Sequence, residues 1–94
     1  MAKSIIQKEK KCFICGTTLN LEKHHMIHGW ANRKLAEKRG LWCWLCNCHH
    51  TGGEASPHKN SEVDLYLKRI AQTAYEGEIG TRKQFIDEFG KSFL

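Results

Sequence analysis

Cysteines and histidines crowd into two short runs of this chain. Cys12 and Cys15 stand in Cys-x-x-Cys spacing with His24 and His25 downstream, and Cys46-Asn-Cys48 leads directly into His49-His50. A tight turn of this kind presents two thiolates to one ion, and a second turn completes a tetrahedral site. Cys12 and Cys15 form the first half. The second half has two possible forms, Cys43 with Cys46 or Cys46 with His49. Cys43 sits between Trp42 and Trp44 in a segment of strand composition, where a ligand turn is awkward. Cys46 to His49 falls where that strand should end, which favours the set Cys12, Cys15, Cys46 and His49. Cys48 is then spare. His24, His25, His28, His50 and His58 remain, and a neutral imidazole near pH 7 can ligate a second metal or take a proton from water.

With 94 residues the chain makes one domain with a modest core, a size at which a structural metal helps. Fifteen lysines and arginines against ten acids give a net charge of +5, which suits a polyanionic partner. The N-terminal segment has no long apolar run, so neither a signal peptide nor a membrane anchor is expected. In that cytoplasmic setting the five cysteines stay reduced, and an odd number fits disulfide pairing poorly.

These residues must be positioned by few elements. Residues 1–11 are polar and lysine-rich and read as a loose arm. Residues 12–30 suggest a hairpin or short strand, and 31–39 a helix ended by Gly40. Leu41 to Leu45 reads as a second strand. Gly52, Gly53 and Pro57 interrupt the chain, so a helix from Cys48 is short or broken. Ser61 is the expected N-cap of a longer helix with Val63, Leu67, Ile70 and Ala74 on its core face, broken at Gly77 and Gly80. Thr81 to Gln84 begins a last helix that carries Phe85, Ile86 and Phe89 and stops at Gly90. The domain divides into an arm (1–11), a metal-binding core (12–58) and a helical extension (59–94).

The succession Cys12-x-x-Cys15, Leu21-Glu-Lys-His24-His25, then Gly40-Leu41 through Leu45-Cys46-x-x-His49-His50 resembles the HNH endonucleases. The likeness is nearest to their small members from bacterial viruses and mobile elements, and it covers residues 12–58. It implies an α+β fold: a zinc-stabilised ββα-metal (His-Me finger) domain, here with additional C-terminal helices. It also implies an enzyme that hydrolyses DNA phosphodiester bonds, a nickase among its possible forms, in a bacterial host's cytoplasm beside other viral DNA-processing proteins. On this resemblance His25 matches the general base, His24 and His50 match ligands of the catalytic metal, and His49 falls at the last structural zinc position. His58 is a further candidate for the catalytic metal or the phosphate, and His28 is structural or substrate-facing. The family's middle asparagine falls near Gly40 or Leu41, which supply no amide; Asn32 is the nearest substitute.

Zn²⁺ is thus expected in the structural site, and Mg²⁺, Mn²⁺, Co²⁺ or Ni²⁺ in the catalytic one. Imidazole ligands favour the last three over Mg²⁺, which prefers oxygen. Neighbouring residues on a regular strand face opposite sides, so His24 and His25 share one site only if the strand bends or bulges. Arg33, Lys34, Lys38 and Arg39 are the expected phosphate contacts; Lys68, Arg69, Arg82 and Lys83 are candidates for extra contacts, although a solvated helix face is the favoured reading of each. Trp30, Trp42 and Trp44 are able to stack on bases, although at least two are expected in the core. The competing expectation is an inactive zinc-stabilised module that binds nucleic acid or serves as a viral accessory factor.

Overall fold

A computed structural model describes residues 3–29, 31–50, 57 and 59–94. The elements run β1 (Leu21–His25), α1 (Asn32–Arg39), β2 (Trp42–Cys46), α2 (Asn47–His50), α3 (Ser61–Glu78) and α4 (Arg82–Phe89). Trp30 and His58, both singled out by type, lie outside the described residues. This is a small α+β arrangement whose two strands pair antiparallel, Leu21 opposite Cys46 and His25 opposite Trp42. None of the described helices is long and apolar enough to cross a membrane.

Register divides the hairpin into two faces, because residues directly opposite one another share a side. Glu22, His24, Cys43 and Leu45 form one face, and His24, Cys43 and Leu45 are buried there. Lys23, His25, Trp42 and Trp44 form the other. Trp42 is buried and Trp44 half-buried, their rings edge to face at 5.5 Å.

The described part of the arm, residues 3–11, is not loose; together with Phe13 it lines the outer edge of β2. Phe13 N–H donates to the Trp44 carbonyl at 2.8 Å, Trp44 N–H to Gln7 Oε1 at 2.7 Å, and Ser4 Oγ to the Trp42 carbonyl at 2.5 Å. An uncovered edge strand would expose these groups to pairing with another chain. The lysine content of the segment hid the polar side chains that dock it.

Gly40 ends α1 as expected, with φ +74 and Leu41 N–H donating to the Ala36 carbonyl at 2.9 Å. A β-carbon there would lie 2.4 Å from the Lys3 carbonyl oxygen. Gly40→Ala therefore combines left-handed backbone strain of roughly 1–2 kcal/mol with a clash against main chain. We expect a loss of about 2 kcal/mol or more, read as a lower urea midpoint. An unchanged midpoint would mean that the arm is not seated on this turn.

The helical extension departs from expectation in three places. The N-cap of α3 is Asn60, not Ser61: its extended backbone lets Oδ1 accept from Glu62 N–H at 3.0 Å and Val63 N–H at 3.2 Å. Gly77 lies inside α3, since burial of Tyr75 holds the last turn and Ile79 N–H still reaches the Tyr75 carbonyl at 2.8 Å. The core stripe is Leu67, Ala71 and Tyr75, with Val63 and Ile70 only packed against it, because α4 meets α3 through aromatic residues. Tyr75 and Phe85 pack edge to face at 5.2 Å, and Phe89 lies 4.8 Å from Phe85. Helix α4 itself matches expectation, opened by a Thr81/Gln84 capping box and closed by Gly90.

Glu88 joins these helices to α1. Tyr75 Oη donates to it at 2.5 Å and Arg39 Nε at 3.0 Å. Burial opposes ionisation of Glu88, but the bonds from Tyr75 and Arg39 prevail and hold its carboxyl below the ordinary range. A carboxylate so depressed adds stability that is present above its unfolded pKa and lost as pH falls through its folded one. Glu88→Gln should cost about 1–2 kcal/mol at neutral pH, less than a fully buried pair because the Arg39 side chain is 34% exposed. The variant should also show a flatter loss of stability in acid. Equal stability of both proteins at neutral pH would remove this triad from the packing argument.

Candidate metal centre and histidine cluster

The turn at residues 12–16 is closed by Gly16 N–H donating to the Cys12 carbonyl at 2.8 Å, with Gly16 at φ +80. Cys46 ends β2 and His49 lies within α2, so the strand end and the short helix supply the second pair. Ligand atoms of Cys12, Cys15, Cys46 and His49 all lie within 4.8 Å of one another, close enough to bind one metal ion. The Cys15 and Cys46 sulfurs are 3.7 Å apart, near the ~3.8 Å edge of a tetrahedron with ~2.3 Å zinc–sulfur bonds. His49 Nδ1 lies 3.9 Å from Cys12 Sγ and 3.1 Å from Cys46 Sγ, which bracket the ~3.5 Å edge for a sulfur and a nitrogen.

Cys43 is outside the set, and the reason is its face. It is fully buried opposite His24, and burial first, then the neighbouring Cys12 charge, pushes its thiol up to about 12. Cys12 behaves in the opposite way. Burial resists its ionisation, yet backbone N–H groups of Cys15, Cys46 and Ile14 lower the thiol to about 6. A buried thiol ringed by main-chain donors is prepared to be a thiolate ligand. Cys48 is exposed.

One residue beyond His49, His50 turns to the opposite side of the knuckle and meets His24, ring centroids 5.2 Å apart at 68°. The His28 ring lies 6.2 Å from that of His24. Two carboxylates flank the three imidazoles: Glu22 Oε1 is 2.7 Å from His50 Nδ1, and Asp64 Oδ1 is 2.7 Å from His28 Nε2. Burial raises the Asp64 pKa, but bonds from Lys68 and His28 outweigh it and leave the group below its ordinary value. Imidazoles oriented by carboxylates are a common arrangement around transition metals. Sequence reasoning linked His24 with His50, read His28 as structural or substrate-facing, and gave no role to Glu22 or Asp64. The i, i+2 spacing of Glu22 and His24 on a strand was the available signal; Asp64 had none.

His25 is not brought to this cluster. Pairing is regular through His25, without a bulge, so its side chain takes the face opposite His24. Its Nε2 lies 3.0 Å from Glu37 Oε1 on α1, and Lys23 Nζ shares that carboxylate at 3.1 Å. The hydrogen bond from His25 first, then Lys23, holds Glu37 below the ordinary carboxylate range.

The basic residues of α1 divide. Arg33, Lys34 and Lys38 are exposed, whereas Arg39 is bound to Glu88 and serves packing. Asn32 ties α1 to α4 through the Phe89 carbonyl at 3.3 Å instead of bracing the hairpin. Lys68, Arg69 and Arg82 each have protein partners, in Asp64, the Phe93 carbonyl and Glu76. No family model, no curated protein and no solved structure matches the chain.

Proposed function

We propose that the chain is a metal-dependent HNH-type endonuclease that hydrolyses DNA phosphodiester bonds. The observation that carries this reading is the convergence of His24, His28 and His50 immediately beside the Cys12/Cys15/Cys46/His49 knuckle. On this reading Zn²⁺ occupies the knuckle, and β1, β2 and α2 form a ββα-metal core. His24 and His50 hold the catalytic cation, with Mn²⁺, Co²⁺ or Ni²⁺ better suited than Mg²⁺ to imidazole. When bound, that cation supplies positive charge against the scissile phosphate and the leaving 3′ oxygen. Glu22 orients His50 and sets which ring nitrogen is available.

The proton from water goes to a histidine, for which the HNH likeness implies His25, polarised by Glu37. A second assignment is favoured by one observation. His28, backed by Asp64, lies on the His24 side of the hairpin, whereas His25 lies on the other. The test is nicking of supercoiled plasmid with zinc-loaded protein, in each divalent cation in turn and with none added. Cation-dependent nicking abolished by His50→Ala would support the reading. A folded, zinc-loaded parent that cuts in none of these cations would overturn it in favour of a binding module.

A further inference from the structure

The hairpin face that carries His25 borders a groove absent from any assignment above. Its volume is about 580 Å³, and Trp42, Trp44, Lys23 and residues of the docked arm line it. That volume is within the range of sites that hold small organic groups, ~300–1,000 Å³. Four of its lining side chains are cationic, Lys3, Lys8, Lys10 and Lys23, against the single acid Glu9. Lys10 Nζ stands 4.6 Å from the centroid of the Trp44 ring, and Lys23 Nζ 4.1 Å from that of Trp42.

We propose that this groove binds single-stranded DNA, with the half-buried Trp44 ring as the stacking platform and the lysines as phosphate contacts. Aromatic faces interleaved with mobile positive charge are what sequence-tolerant binding of a single strand requires. A base entering the groove takes the place of Lys10 over the Trp44 ring, and the released ammonium moves outward to the phosphate of the same nucleotide. One exchange thus replaces a cation–π contact with a stack and an ion pair. A duplex cannot make it, since its bases are already stacked on one another. Four lysines against one acid favour an anionic occupant. Lys3, Lys8 and Lys10 are exposed, so their charges are open to a ligand in the groove.

The inference deepens the proposed function, and it rests on that reading only for the choice of DNA. Binding is measured on zinc-loaded protein with no other divalent cation, so it is independent of cutting. The probe is a fluorescently labelled short oligothymidylate, followed by anisotropy, beside a duplex of equal length. The single strand should bind more tightly than the duplex and quench tryptophan fluorescence. Trp44→Ala should weaken the single strand by about tenfold or more, the range of one lost base stack. Because that variant alters a strand residue, Lys8→Ala combined with Lys10→Ala provides a second test at exposed positions. It should reduce the slope of log affinity against log salt by about 1.4, about 0.7 for each phosphate contact. Tighter duplex binding, or single-strand affinity and salt slope unchanged in the lysine pair, would overturn the proposal. A parent that nicks plasmid while the lysine pair binds as before would remove the groove and leave the nuclease. A parent that binds the single strand as described but never nicks would do the reverse.

Discussion

Replacing Cys12 with serine is expected to leave the chain without a cooperative melting transition, the largest stability effect available in this molecule. The Cys12 sulfur is one of four donors within 4.8 Å of one another, and it accepts from the Cys15 N–H at 3.5 Å. Its knuckle also joins segments far apart in sequence, the turn at Cys12 and the junction of β2 with α2. Metal binding in small domains contributes on the order of 10 kcal/mol, while whole domains are stable by about 5–15 kcal/mol. Loss of a ligand therefore removes most of the margin. Zinc content by absorbance assay and thermal melting by circular dichroism test this directly, with His49→Ala expected to behave similarly. Cys48→Ser is the control, because Cys48 is exposed and outside the donor set. A Cys12→Ser protein that melts like its parent with zinc retained would refute Cys12 as a metal ligand, and a folded parent without zinc would refute the structural metal.

The second large effect concerns cutting. His50→Ala removes one of the two imidazoles proposed to hold the catalytic cation, and nicking should fall below detection in every metal. Glu22→Gln leaves that ring in place but weakens its orientation, which should cost about 10- to 100-fold. Loss of the general base should cost about 10²- to 10⁴-fold, and here the two candidates separate. If His25→Ala has that loss and His28→Ala does not, the base acts from the Glu37 side of the hairpin. The opposite result assigns it to the His28–Asp64 pair. Should both variants nick at the parental rate, the proposed proton acceptor is wrong on either assignment. Melting curves for each variant keep loss of folding apart from loss of chemistry, because His24 is buried and its neighbours pack against it.

Local chemistry was legible in the sequence, and its partners were not. The turn at Cys12 and Cys15, the left-handed stop at Gly40 and the Thr81 cap depend on residues within a few positions of one another. Backbone geometry settles these whatever the rest of the chain does. The preference for His49 over Cys43 was also readable, because a ligand turn needs the strand to have ended.

Tertiary structure decided which face each histidine takes and what stands across from it. His24 and His25 are adjacent in sequence, yet a regular register sends one to His50 and the other to Glu37. Asp64 reaches His28, and Glu88 pairs with Arg39, by contacts that span dozens of residues. The arm is a similar case, since its lysines suggested solvent while Ser4 and Gln7 dock it on β2. A side chain's type limits the chemistry it can do, but its role is set by the neighbours that packing brings within hydrogen-bond distance.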